Sequence, residues 1–305
     1  MSFHFDHDQA AVLRRWASDA PAHCPVEINQ HWSGRTLAVS GGKGGVGKSN
    51  ISLNLALGLG DADHRVLLMD TDFGLPNLDV LLGQAPSHSL TDVIRNQCTF
   101  SEATFPVTPN VTLMPGGDIW SDQSPNLAEI RELLTQLAIY LGRTDYLIID
   151  TQAGISNAVM GFLLSAENVL MVTTPEPPAL MDTYRTIKRL WSHQPKGRIS
   201  LIVNRAKEAE ARRVYRSLGK MSERFLGRYL DLSGWIPEDR AVTNAVKRQQ
   251  PFLLLHPQCP ASQGIYRLVG KITGSAANTQ PKPRSFLERL STHFLGLRKG
   301  GDHDH

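Results

Sequence analysis

From Arg35 onward the chain alternates between two apolar patterns. Six short runs are apolar throughout and rich in β-branched residues: TLAVS (36–40), RVLLMD (65–70), NVTLMP (110–115), DYLIID (145–150), NVLMVTT (168–174) and RISLIVN (198–204). Runs of this kind suit parallel strands buried on both faces. Between them lie stretches with helical spacing, including NISLNLALGLG (50–60), LAEIRELLTQLAIYLG (127–142) and ALMDTYRTIKRLW (179–191). Strand–helix alternation with right-handed crossovers predicts an α/β fold with a doubly wound, mainly parallel sheet. Beyond Ile236 the pattern weakens to helices around AVTNAVKRQQ (241–250) and SQGIYRLVGKIT (262–273).

The ends follow other patterns. Residues 1–20 carry a short helical spacing with Val12, Leu13 and Trp16, and residues 21–34, with Pro21 and Pro25, form a linker. The main domain spans 35–274. A second linker of small and polar residues covers 275–284, and an amphipathic helix is expected over 285–299.

With 41% hydrophobic and 7% aromatic residues in 305, the composition is that of a globular protein and excludes a disordered chain. A net charge of +3 from 32 basic and 29 acidic residues gives no general nucleic-acid coat. Cys24, Cys98 and Cys259 lie far apart without a CxxC pair, which argues against disulfides, a zinc site or an iron–sulfur scaffold. No secretory signal and no run of about 18 apolar residues is present, so the expected location is the cytoplasm.

The chemistry concentrates after the first strand. Gly42-Lys43-Gly44-Gly45-Val46-Gly47-Lys48-Ser49 fits GxxxxGK[ST] between a strand and a helix, with Asn50 continuing into that helix. Glycines let backbone N–H groups turn inward around phosphate oxygens at the positive end of the helix. Lys48 is placed to reach the β- and γ-phosphates of ATP, and the Ser49 hydroxyl to ligate Mg²⁺. Asp70 and Asp150 close their strands and Asp72 follows two residues later, so three carboxylates meet the ligand crevice of the sheet.

Lys43 carries a resemblance. KGGVGKS is similar to the deviant Walker A motif of the MinD/ParA family of dimerising ATPases. The resemblance implies that Lys43 reaches across a nucleotide-sandwich homodimer to the partner's ATP. It implies that Asp72 orients the attacking water, that Asp70 supports the magnesium shell, and that Asp150 holds Mg²⁺ through water. Gly74 to Asn77 and Thr151 to Gly154 correspond to the two switches. Asn204-Arg205 resembles the adenine-contacting pair, and Pro237-Glu238-Asp239 the loop closing over the base.

Within the family, five segments resemble the flagellar-number regulators (FlhG, FleN or YlxH): LPNLDVLLG (75–83), MPGG (114–117), DTQAGIS (150–156), TTPEPPAL (173–180) and DQAAVLR (8–14). The last fits the DQAxxLR helix that in those proteins stimulates an FlhF-type GTPase, with Gln9 and Arg14 as acting residues. Flagellar switch proteins and a flagellar transcription activator are further implied partners. Gln152 stands where glycine is common, Gly41 where serine is common, and Asp118-Ile119 replaces a small polar pair.

The final stretch places Phe286, Leu287, Leu290, Phe294, Leu295 and Leu297 largely on one helical face, flanked by Arg284, Arg289, Arg298 and Lys299. This reads as an interfacial helix for anionic membrane, weak alone and raised in avidity by effective concentration when an ATP dimer presents two copies. Two alternatives stay open. One is a ParA-type partition ATPase binding DNA through Lys207, Arg212, Arg213, Arg216, Lys220, Arg224 and Arg228, although Glu208, Glu210 and Glu223 interrupt that segment. The other is a MinD-type division-site regulator, which would lack the DQAxxLR helix.

Overall fold

Six of the strands of the computed structural model arise from the six apolar runs: β1 (Arg35–Ser40), β2 (Val66–Thr71), β4 (Val111–Met114), β5 (Tyr146–Thr151), β6 (Asn168–Thr173) and β7 (Arg198–Asn204). Two more, β3 (Phe105–Thr108) and β8 (Asp231–Ile236), complete one sheet in the order β3-β4-β2-β5-β1-β6-β7-β8. All neighbours are parallel except β3, which runs antiparallel to β4. The structure describes residues 32–73, 76–117, 127–193, 195, 197–274 and 286–296.

The helices, in chain order, are α1 (Lys48–Asp61), α2 (Leu78–Leu82), α3 (Leu90–Ile94), α4 (Phe100–Ala103), α5 (Leu127–Leu141), α6 (Asn157–Ser165), α7 (Pro177–Ser192), α8 (Glu208–Leu226), α9 (Arg240–Lys247), α10 (Phe252–Leu255), α11 (Pro260–Gly274) and α12 (Phe286–Gly296). Each face of the sheet carries its own core. Leu37, Val39 and Ile148 pack with Leu53 and Leu57 of α1 and Ile265 and Leu268 of α11. Ala38, Leu147 and Ile149 point the other way, to Leu134, Leu163, Ile187 and Leu218 of α5 to α8. Successive strand residues therefore enter opposite cores, which is why the runs read as apolar throughout.

Helix α1 is buried along most of its length, from Ile51 to Gly60, because the sheet lies on one side and α11 on the other. Gly58 lets the two helices close: a Cβ there would stand 3.0 Å from Val269. The basic segment 207–228 is α8, which buries Ala211, Val214 and Leu218 and turns most of its charges to solvent. One of those charges, Arg212, is paired with Glu208 at 2.8 Å.

The tail helix does not stand apart but docks on the domain. Phe286, Leu287 and Leu290 of α12 are buried in the same core as α5 and α6. The Phe294 ring meets Phe162 edge-on at 5.7 Å. The Arg289 Nε donates to the Ser165 carbonyl at 2.7 Å. The physical reason is that α5 and α6 leave an apolar groove next to the sheet, and burying three large side chains there stabilises the helix by several kcal/mol, at about 1.5–3 kcal/mol each. No helix among the described residues is long and apolar enough to cross a membrane. Gln9, Arg14 and the 1–20 helix, Gly74, Leu75, Asp118, Ile119, the 275–284 linker, and Leu297, Arg298 and Lys299 lie outside the described residues.

Candidate nucleotide site

The glycine loop lies between β1 and α1, at the C-terminal edge of the sheet. Gly45 and Gly47 adopt positive φ, 78° and 96°, a left-handed backbone that an L side chain rarely enters. Gly42 is needed for a different reason: a Cβ there would lie 2.2 Å from the Asp182 carbonyl carbon in α7. Gly41 is crowded to a lesser degree, since a Cβ would stand 2.9 Å from the Val172 carbonyl oxygen, so the glycine found in place of serine fits this packing.

The two lysines of the loop have opposite environments. Lys48 begins α1 and is 9% exposed. Lys43 is exposed on the outer turn of the loop. Val46 is buried, and its carbonyl accepts a 2.8 Å hydrogen bond from the Asn204 Nδ2. The Asn204 Oδ1 accepts from the Arg205 N–H at 3.0 Å. The sequence placed Asn204 on the adenine edge; in the structure its amide ties the end of β7 to the glycine loop. Arg205 is exposed beside it, with φ 53°, and Pro237 and Glu238 follow β8 in the adjacent connection.

Asp70 and Asp150 occupy the same register on β2 and β5, and each is 1% exposed. The Asp150 carboxylate accepts from the Ser52 hydroxyl at 2.8 Å and also from Ser49. Burial pushes its pKa up to about 6, although those two hydroxyls and the Lys48 charge favour the ionised form. Asp70 accepts backbone N–H groups from Asp72 (2.9 Å), Asn77 (3.1 Å) and Leu78 (3.3 Å). Burial, followed by the Asp150 charge, raises its pKa to about 7. The expectation for Asp70 is a place in the magnesium shell; here both of its oxygens accept backbone N–H groups, from Asp72, Asn77 and Leu78.

The segment after β5 is tied to the same centre. The Thr71 hydroxyl donates to the Asp150 carbonyl and the Thr151 hydroxyl to the Val39 carbonyl, at 2.8 and 2.9 Å. Gly154, at φ 101°, donates its N–H to Gly41 at 3.4 Å. Ser52 and Thr71 were missed by sequence reasoning, and Thr151 was read only as the start of the 151–154 segment. Ser52 was legible, because it lies one helical turn after Ser49 on the same face.

This donor set fits a hard cation. Ser49 and Asp150 supply oxygens at a buried centre, and a cation there would lower the raised proton affinity of Asp150. Among the described residues no group of three His, Cys, Asp or Glu side chains could hold a metal by itself. Mg²⁺ would therefore complete its shell with phosphate oxygens and water, as that ion commonly does.

Comparison with known proteins agrees with this geometry. A ParA family profile, described as NUBPL iron-transfer P-loop NTPase, matches residues 33–273. The chain is 34% identical over 264 residues to the antiactivator FleN of Pseudomonas aeruginosa, covering 85% of this chain and 94% of FleN. It is 30% identical over 270 residues to the flagellum site-determining protein YlxH of Helicobacter pylori, covering 85% and 90%. The septum site-determining protein MinD of Pyrococcus horikoshii, solved with Mg-ADP, superposes with a TM-score of 0.63 at 25% identity, over 79% of this chain and 97% of that one. With its glycine cradle, paired lysines and buried strand-end acids, the chain belongs to the ParA/MinD family of P-loop ATPases, in the branch that holds FleN and YlxH.

Proposed function

We propose that this chain is an ATP-driven switch that regulates the number and placement of flagella, cycling between a cytosolic monomer and a membrane-bound ATP dimer. The observation that carries the reading is the pair of loop lysines, one buried at the start of α1 and one exposed on the outer turn. The backbone N–H groups of the glycine loop and Lys48 bind the triphosphate, Ser49 and Asp150 hold Mg²⁺, and Lys43 serves the partner's ATP in trans. Bound Mg²⁺ supplies charge neutralisation at the phosphates. Asp72 orients the attacking water, and Asp70 fixes the backbone on both sides of it through the Asp72, Asn77 and Leu78 N–H groups. Arg205, Pro237 and Glu238 border the space for the base.

FleN is an antiactivator and YlxH a flagellum site-determining protein, and the similarity to YlxH over 85% of this chain supports the flagellar assignment. The docked tail adds a requirement: α12 must leave α5 and α6 before its apolar face can enter a membrane. The DQAxxLR segment supports stimulation of an FlhF-type GTPase through Gln9 and Arg14. Flagellar switch proteins and a transcription activator complete the partner set.

The test is complementation of a deletion strain, counting flagella per cell. Wild type restores the normal number, whereas Lys43→Ala and Lys48→Ala both fail, the first with nucleotide binding retained and the second without it. Restoration by Lys48→Ala would overturn the reading. The partition alternative predicts ATP-dependent DNA retention without lipid binding, and a gel shift run beside vesicle flotation separates the two.

A further inference from the structure

A large cavity lies away from the nucleotide site. It opens beneath the N-terminal ends of β1, β6, β7 and β8, between α8 and α11, with a volume of about 800 Å³. That falls within the range of small-molecule sites, about 300–1,000 Å³. The glycine loop is at the opposite end of the six-residue strand β1, roughly 17 Å away at about 3.3 Å per residue.

Its wall is rich in donors. Asn168 and Arg198 begin β6 and β7 and stand in register, with Leu37 of β1 on the other side of Asn168. The Asn168 Oδ1 accepts from Ser200 at 2.9 Å, which turns its Nδ2 into the donor left for a ligand. The Thr36 hydroxyl, on the same wall, is buried and has no hydrogen-bond partner. Such an orphan costs stability unless something satisfies it. Basic side chains are frequent on the lining, with Arg35, Arg198, Arg212, Arg267 and Lys271 beside Glu167 and Asp231; of these, Arg212 is paired with Glu208 and Arg267 lies over Trp235.

One wall is aromatic. The Trp235 ring is half-buried, and the Arg267 guanidinium lies 5.5 Å from its centroid. A planar base would stack on the indole in the place the Arg267 guanidinium now takes. An oxyanion-seeking wall facing a ring-stacking one matches a molecule with a phosphoryl group at one end and a heteroaromatic ring at the other.

We propose that this cavity is a second binding site, for a nucleotide, with the phosphoryl group held by Arg198 and the Asn168 amide and the base on Trp235. The site is independent of the P-loop. Binding there loads the starts of the strands that end at Ser40, Thr173, Asn204 and Ile236, next to the ATP site.

The experiment uses the full chain carrying Lys48→Ala, so that the P-loop is disabled, and titrates AMP, GMP and pyrophosphate by calorimetry. One equivalent of a mononucleotide should bind, at least about fivefold tighter than pyrophosphate, about 1 kcal/mol. Arg198→Ala added to that background should weaken it at least about tenfold with an unchanged melting temperature. Trp235→Leu should cost a similar factor, and Trp235→Phe should recover most of it; this rescue separates ring stacking from a folding defect. The absence of saturable binding up to about 1 mM, equal affinity for pyrophosphate, or full binding in Arg198→Ala would each overturn the proposal.

Discussion

Asp70 and Asp150 stand side by side in register on β2 and β5, both buried, and the charge of Asp150 helps to keep Asp70 protonated. In an unfolded chain both titrate near 4. Folding raises them to about 7 and about 6, so the native state holds more protons than the unfolded state between those limits. Their contribution to stability is therefore full at low pH and is lost as pH rises through the folded values. Without Mg²⁺ and nucleotide, the stability difference between wild type and Asp70→Asn should shrink from pH 4 to pH 8. A melting series with both proteins reads this directly, and a difference that grows with pH contradicts it.

The glycines of the loop separate by what a methyl group would meet. Gly42→Ala forces a Cβ into the α7 backbone at Asp182, and overpacking of this kind costs about 1–3 kcal/mol. Gly44 has open space and no positive φ, so Gly44→Ala should leave stability within about 0.5 kcal/mol of wild type or raise it slightly. Denaturant melts of the nucleotide-free variants give the comparison.

Asn204 braces the loop through the Val46 carbonyl. Asn204→Ala removes a buried hydrogen bond and leaves an acceptor unpaired, a loss of about 1–3 kcal/mol. Both stability and ATP affinity should fall, whereas Arg205→Ala, at an exposed position, should weaken nucleotide binding with little change in stability. Paired melting and binding curves distinguish these outcomes.

Gly161 makes room for the tail: a Cβ there would stand 2.6 Å from His293 and 3.0 Å from Phe294. Gly161→Ala should loosen α12 without touching the glycine loop. Protection of residues 286–296 from hydrogen exchange should drop, and vesicle binding should appear without ATP. Unchanged protection in this variant would show that the groove tolerates the methyl group.

Much of this site could be read from residue types and spacing. The glycine loop, its two lysines and the three strand-end acids all stand at the C-terminal edge of the sheet. The two strands that went unread have physical reasons. β3 carries Pro106 at the sheet edge and is only half-buried. β8, DLSGWI, mixes polar residues with Gly234 and shifts register against β7, so it lacks the apolar run of an inner strand. Tertiary partners decided the remaining differences. The amphipathic face of α12 looks alike whether it meets lipid or the groove of α5 and α6, and the partner of Asn204 is a carbonyl far along the chain, whereas those of Asp70 depend on how the turn after β2 folds back.

The central claim is that two copies close around two ATP molecules. Light scattering on Asp72→Ala, with saturating ATP or ADP, tests it most directly. The expected result is a dimer of twice the chain mass with ATP and a monomer with ADP, and loss of the ATP dimer when Lys43→Ala is added. A single subunit at saturating ATP, with nucleotide bound, would contradict it.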